Sequence, residues 1–360
     1  METLVFHLSS FQLQRVVPLL ARKQKSAHLI FRVLGSQFQA KYAQDPILLS
    51  APKVFIHGNP HLDNYVRTFN GSGMVDFDRS RIGPYCWDLV RLFSSLYLSS
   101  KVFPTALSQK VYKIIKRGYL GTFNNPDILH AEPSFLHSLR PLPHELSTND
   151  YLEAKKKWAK KLLRFSVSKD DPDIIKMLNL FLKSRNEKKL LKYFFLEKAA
   201  RSPGSLGKEH ILFSLAPFDN EHRRDHILID IKETYCEEDT SLFYSPTEHQ
   251  GLRMIRASNL YAPNIEQRLG YFTFQKTHYW GREVPAFNAK IKTTLDNHEI
   301  EELGYCIGAQ LGRAHRLSIL GKPKDLREHL KKNLLQIQQM AIDMSKQVLK
   351  VHKKLSKKHL

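Results

Sequence analysis

His57-Gly58-Asn59-Pro60-His61-Leu62-Asp63-Asn64, followed shortly by Val75-Asp76-Phe77-Asp78, is the stretch on which the fold turns. The apolar run Lys53–Ile56 in front of it reads as a strand that delivers the chain into a turn, and Gly58 allows that turn to be tight. Residues 65–69, the turn residues Asn70, Gly71, Ser72 and Gly73, and residues 74–77 then spell a hairpin. A turn with two side chains five apart, set opposite a hairpin strand with an aspartate, supplies what phosphoryl transfer asks of a protein. Those requirements are hard oxygen ligands for Mg²⁺ and a group that orients the attacking hydroxyl. Asn64 and Asp76 can face one metal. Taken singly, each part is an ordinary turn or strand-end residue, and only the ordered combination carries weight. Zinc held by His57 and His61 with the neighbouring acids is the rival reading, but their spacing matches no common zinc pattern.

Outward from this stretch the pattern is mostly helical. Leu13, Val16, Val17 and Leu20 recur at helical spacing, as do Ile30, Val33, Leu34 and Phe38. The apolar positions from Trp87 to Tyr97 predict a buried helix, and helical patterning continues from about 105 to 200. Lysine clusters at 155–161 and 188–192, interleaved with Trp158, Leu162, Leu163, Leu190 and Leu191, read as solvated faces of amphipathic helices or as a polyanion-binding face. The character changes near residue 200. Arg201-Ser202-Pro203-Gly204-Ser205-Leu206-Gly207 precedes strand patterns at 211–215, 226–231 and 272–274. A helix over 303–315 carries Gly304, Gly308 and Gly312 at every fourth position, a face for close packing, and 323–360 forms a lysine-rich amphipathic helix. The expected units are a helical lobe over 1–198, a β-rich lobe over 199–300, and closing helices over 301–360.

The 360 residues suffice for one large or two ordinary domains, and 42% hydrophobic with 25% charged residues is the composition of a globular protein. The net charge of +21 attracts polyanions without naming one, so an acidic partner is possible through the basic surface. Three scattered cysteines exclude a disulfide framework and any paired zinc motif. No apolar run approaches a membrane span, and the first residues lack the basic region and cleavage site of a signal peptide. These features fit a cytoplasmic protein; an effector secreted by a non-classical route would look the same.

The pattern HGNPHLDN…VDFD resembles the catalytic loop and metal strand of aminoglycoside-phosphotransferase-like kinases. A more specific resemblance is to the bacterial "domain of unknown function 2252" family. Its blocks are matched in order by SAHLIFRVLG, HGNPHLDNYV and VDFDRSRIGPYCWDLVRLFSSL, then by RSPGSLG, HILIDIKET and LGYCIGAQLGRAHRLS, over roughly residues 25–320. The resemblance implies an α+β, protein-kinase-like two-lobe fold that binds ATP or another nucleotide with Mg²⁺. Ordinary kinases place the glycine-rich loop and its lysine ahead of the catalytic loop. Here they follow it, so the implied fold is circularly permuted, with the helical catalytic lobe before the β-rich nucleotide lobe. On that reading Asn64 and Asp76 hold the metal, the backbone at Gly204, Ser205 and Gly207 cradles the phosphates, and Lys232 contacts them. The helix carboxylate paired with Lys232 would be Glu248, with Glu233, Glu237 and Glu238 as competitors.

One departure matters. Asn59 stands where the resemblance expects the catalytic aspartate, and an amide cannot take a proton. General-base help is worth roughly 10²–10⁴-fold, so three readings follow. Asp63 or Asp78 substitutes as base in a phosphotransferase of unknown acceptor, the protein transfers AMP instead, or it is a nucleotide-binding pseudokinase. A basic nucleic-acid binder, supported by charge alone, is the third class. Trp87 reads as core, and Asp88 as a cap or partner of Arg91 or His57 that holds the catalytic turn.

Overall fold

The computed structural model describes residues 27–68, 70–99, 106–128, 132–138, 157–204, 208–218, 226–284, 288–291 and 295–357. The helix expected near residues 13–20, and Ser205 and Gly207 of the glycine-rich segment, lie outside them. The architecture is α+β. It opens with three short helices, α1 (Ala27–Val33), α2 (Gly35–Lys41) and α3 (Pro46–Ser50), the last begun by Asp45, whose side chain accepts from Ile47 N–H beside Pro46. Strand β1 (Lys53–Ile56) pairs antiparallel with β4 (Arg81–Pro84), and between them lies the hairpin of β2 (Tyr65–Thr68) and β3 (Gly71–Met74). The hairpin is tighter than its sequence suggests. Gly71 already pairs with Thr68, its φ of 126° closed to a residue with a side chain. Residues 75–77 are therefore not strand: Asp76 adopts the left-handed conformation, φ 75° and ψ 60°, and leads into a short 3-10 turn, Phe77–Arg79.

Helix α4 (Tyr85–Ser99) is the buried helix that Trp87 to Tyr97 announced; Trp87, Val90, Leu92 and Phe93 are sealed in the core. Around it pack α5 (Ala106–Asn124), and, from the far end of the chain, α10 (Asn297–Ser318) and α11 (Pro323–Lys357). The glycine stripe does what close packing requires: a Cβ at Gly312 would stand 2.1 Å from the Tyr119 carbonyl oxygen, so α5 and α10 meet backbone to backbone. Helix α11 is not a free tail. Leu326, Leu330, Ile337, Met344 and Val348 are buried against this core, and Ser94 Oγ donates to the Ala341 carbonyl at 3.1 Å. Two further helices, α6 (Ser134–Ser138) and α7 (Lys157–Arg164), lie between these regions in sequence.

The second unit is a six-stranded antiparallel sheet in the order β5-β6-β7-β8-β10-β9. Its strands are β5 (Ser166–Val167), β6 (Phe194–Pro203), β7 (Glu209–Pro217), β8 (Ile227–Glu233), β9 (Gln267–Phe274) and β10 (Thr277–Glu283). Helix α8 (Pro172–Ser184) covers one face, with Met177, Phe181 and Leu182 against Phe213, Ile229 and Ile231. This sheet's core thus draws in residues upstream of 199, because α8 buries its apolar stripe on the strands and not on the first core. Helix α9 (Gln250–Tyr261) lies in sequence between β8 and β9, and the short β11 (Asn288–Lys290) returns to pair with β2. No described helix is long and apolar enough to cross a membrane.

Candidate functional site

The turn after β1 is held from behind. Asp88, fully buried on α4, accepts the His57 N–H at 2.7 Å and the Gly58 N–H at 2.9 Å, and also bonds Tyr261 Oη (3.2 Å) and His315 Nε2 (3.1 Å). His315 is locked in turn by Tyr119 Oη at 2.8 Å from its Nδ1. Trp87 Nε1 donates to the Gly58 carbonyl at 3.2 Å. Gly58 itself has φ +83°, and a Cβ there would fall 1.9 Å from the Arg79 carbonyl oxygen. The expected role of Asp88 as the brace of this turn is what the geometry contains. Arg91 is not its partner.

Arg91 instead donates to Asn59 Oδ1 and to the Phe31 carbonyl, with its guanidinium carbon 3.5 Å from the Phe31 ring centroid. Burial holds the Arg91 pKa well below its ordinary value. Asn59 is 7% exposed and does not line the neighbouring cavity. The side chain at the expected catalytic position is thus turned inward, onto a buried cation.

Asn64 and Asp76 are brought together. The Val75 N–H donates to the Asn64 carbonyl at 2.8 Å, stitching the end of the 3-10 turn Leu62–Asn64 to the residue before Asp76. Asn64 Nδ2 donates to the Asn59 carbonyl at 3.3 Å, which leaves Oδ1 as its ligand atom. The 3-10 turn carrying Asp78 is clamped by Arg253 of α9, which donates to the Asp78 carbonyl at 3.0 Å, to the Tyr235 carbonyl at 2.8 Å, and to Ser80. Burial and then the Asp76 charge push the Asp78 carboxyl up to about 6, with Lys232, Arg253 and Arg79 pulling the other way. Asp63 is ion-paired with His28 Nδ1 at 3.1 Å and lies 3.9 Å from Arg32.

These carboxylates open on a cavity of about 510 Å³ whose other wall comes from the six-stranded sheet. Asn64, Asp63, Asp76 and Asp78 line one side; Gly204, Lys208, Lys232, Trp280 and Arg282 line the other. Trp158 and Lys161 of α7 also reach it. Gly204 N–H donates to the Lys208 carbonyl at 2.6 Å, and both residues line the cavity. Lys232, near the end of β8, has Nζ 3.9 Å from buried Asp230 and 5.7 Å from the Trp280 ring centroid. Burial raises the Asp230 pKa, but the charges of Lys232, His210 and Arg282 outweigh it and hold the group ionised. Glu248 is elsewhere: exposed, ahead of α9 and outside the cavity, because that helix begins only at Gln250. The carboxylate nearest Lys232 comes from its own strand. Glu237 and Glu238 serve Arg79 and Arg81 instead: Glu237 lies 2.8 Å from Arg79, and the Glu238 carbonyl accepts from Arg81 at 3.1 Å.

The cavity residues that sequence reasoning missed are mainly Trp280, Arg282, Glu266 and Arg32. Trp158 gave a signal, as an aromatic residue set among lysines; Arg282 and its ion-pair partner Glu266 gave none.

Two comparisons with known families bear on this geometry. The phosphotransferase enzyme family (APH) matches residues 11–131, which hold the braced turn, Asn64 and Asp76. The family described as "Uncharacterized protein conserved in bacteria (DUF2252)" matches residues 143–358. The chain belongs to the DUF2252 family. Its match includes the whole six-stranded sheet and α10 with His315, while the kinase-like, phosphotransferase-family part lies ahead of it. No curated protein and no solved structure matches the chain.

Proposed function

We propose that this DUF2252 chain is a kinase-like phosphotransferase that binds a nucleoside triphosphate, ATP being the first candidate, with Mg²⁺ in the cavity between the braced turn and the sheet. One observation carries the reading. Asn64, Asp76 and Asp78, from a phosphotransferase-family segment, share a single cavity with Gly204, Lys208 and Lys232, which lie more than a hundred residues later. The donor set fits the metal: Asn64 Oδ1 and the Asp76 carboxylate are hard oxygens, and Mg²⁺ selects them over nitrogen or sulfur. Bound there, Mg²⁺ would neutralise charge on the phosphate oxygens.

The other roles follow from position. Lys232 and Lys208 supply point charges for the phosphates, and the backbone at Gly204 lies on the same cavity wall. The order hairpin, third strand with a lysine, then helix α9 is that of a kinase nucleotide lobe. It supports the permuted arrangement and a division into a catalytic lobe, a nucleotide lobe and closing helices. Asp78 is the better base. It lines the cavity, and a carboxyl near 6 is poised to take a proton at neutral pH. The acceptor hydroxyl oxygen attacks the γ-phosphorus, its proton passes to Asp78, and the bond to the bridging oxygen breaks to release the nucleoside diphosphate. The acceptor's identity is not written in the cavity.

Thermal stabilisation by millimolar ATP with Mg²⁺, and its absence with either alone, tests the site. Transfer of label from γ-labelled ATP then marks phosphoryl transfer, and transfer from α-labelled ATP marks the AMP-transferring alternative. Binding with neither leaves a pseudokinase. No stabilisation at all refutes the nucleotide site.

A further inference from the structure

Beside the cavity, on the side away from the sheet, sits a second cluster with metal-binding chemistry. His28 of α1, His61 of the braced turn and Asp63 each offer one ligand atom, and the three atoms lie within 4.8 Å of one another. We propose that His28, His61 and Asp63 bind a divalent transition metal that clamps helix α1 to the catalytic turn. Two imidazoles and one carboxylate suit Zn²⁺ or a neighbouring first-row ion, not Mg²⁺, which demands oxygen ligands. The site is therefore chemically distinct from the one at Asn64 and Asp76, and it does not rest on the nucleotide reading.

The observation that points to a ligand is His61. Its side chain is fully buried, and neither ring nitrogen has a hydrogen-bond partner among the described residues. Buried polar atoms are almost always satisfied, and the His61 ring stands edge-on to that of His28, centroids 5.3 Å apart. His28 is already supported as a ligand should be. Its Nε2 lies 3.0 Å from Ser95 Oγ, the outer contact that fixes a ligating imidazole, and its Nδ1 points at Asp63 Oδ2 from 3.1 Å. A metal would replace the proton shared between those two atoms. The side chain of Asp63 is 32% exposed and lines the cavity, which gives the ion a route in and leaves an open coordination position toward the cavity. The Arg32 guanidinium, 3.9 Å from Asp63 and 3.9 Å from Asp76, opposes it, with both acids offsetting its charge, and the Arg91 charge also acts on His61.

The test uses the full chain, stripped with chelator and titrated with Co²⁺, whose visible d–d bands report a nitrogen–oxygen site of low coordination number. One equivalent of Co²⁺ with such bands, displaced by Zn²⁺, is expected. His61→Asn should weaken Co²⁺ binding by about 10–100-fold and abolish the bands. His28→Asn should do the same, and provides the second variant if the first misfolds. Asn64→Ala, which removes a ligand of the proposed Mg²⁺ site without touching Arg32, should leave bands and affinity unchanged, so the two sites fail separately. A folded wild-type chain without d–d bands, or a His61→Asn variant that binds Co²⁺ as tightly as wild type, overturns the proposal.

Discussion

Replacing Asp78 by asparagine should make the ligand-free protein more stable at neutral pH, against the usual effect of changing a residue in a functional cavity. The carboxyl is raised from 3.8 to about 6, first by burial and then by Asp76. Below pH 3.8 Asp78 is protonated in both the folded and the unfolded chain and contributes nothing. Between 3.8 and about 6 the folded chain holds a proton that the unfolded chain has lost, so stability falls as pH rises. Above about 6 the penalty is complete and constant. Each pKa unit corresponds to about 1.4 kcal/mol, which bounds the penalty at about 3 kcal/mol. Water in the cavity screens the charge, so a gain of about 1–2 kcal/mol is the expected outcome for Asp78→Asn at pH 7.5. The measurement is the difference in unfolding free energy between variant and wild type, by denaturant titration at several pH values from 4 to 8. The difference should be near zero at the acid end, grow through the region around 6 and then level off. A variant less stable than wild type at pH 7.5, or a difference that does not change with pH, would refute the electrostatic reasoning and remove Asp78 as a base tuned by its surroundings.

Asp76→Ala should abolish Mg²⁺-dependent stabilisation by ATP, worth about 2.7 kcal/mol at a hundredfold excess over Kd; unchanged thermal shifts would mean that the metal ligand lies elsewhere. Asn59→Asp restores the expected aspartate but leaves it facing Arg91, so any transferase activity should change by less than about tenfold, against the 10²–10⁴ of a true base. A rise of that larger size would show that position 59 addresses the cavity. Gly58→Ala forces a Cβ onto the Arg79 carbonyl in a left-handed conformation and should cost about 3 kcal/mol or more, read from chemical denaturation. Asp88→Ala strands two backbone N–H groups and His315 Nε2 in the core and should cost about 3–5 kcal/mol; a loss under about 1 kcal/mol would mean that the brace is redundant.

What the sequence disclosed were the local patterns. The strand Lys53–Ile56, the tight turn after it and the hairpin are written in contiguous residues, and the glycines of α10 announce close packing before any partner is known. Asp88 was legible too, as a carboxylate at the start of a buried helix, close in sequence to the turn at His57 that it holds. The errors came where a side chain's partner lies far along the chain. Arg91 and Asp88 sit one turn apart on α4 and face the same catalytic turn, yet one takes Asn59 and the other the backbone at His57 and Gly58; periodicity cannot assign them. Glu248 was expected on a helix because the kinase resemblance pairs the strand lysine with a helix carboxylate, but the helix starts two residues later and carries no acid. Asp76 was placed on a strand because its neighbours are apolar, whereas the hairpin closes early and leaves it left-handed, a strained state that positions its carboxylate at the cavity mouth.

The charge of the protein separates two readings that the sequence held together. A net +21 suggests polyanion binding, and a nucleotide is a small polyanion. Yet the cavity is nearly neutral. Arg32, Lys161, Lys208, Lys232 and Arg282 stand against Asp63, Asp76, Asp78, Glu209, Glu233 and Glu266, five cations to six carboxylates. Such a site does not attract anions by its net field; on the proposed reading it would recognise a phosphate chain by where each charge sits. The surplus lies elsewhere, and α11 carries a conspicuous share, with nine lysines and arginines to three acids over Pro323–Lys357. That helix buries its apolar stripe against the core, and Lys331, Lys332, Lys346 and Lys350 are exposed on its other side. The positive surplus and the cavity are therefore different surfaces, and the high charge is no argument for a nucleotide in the cavity.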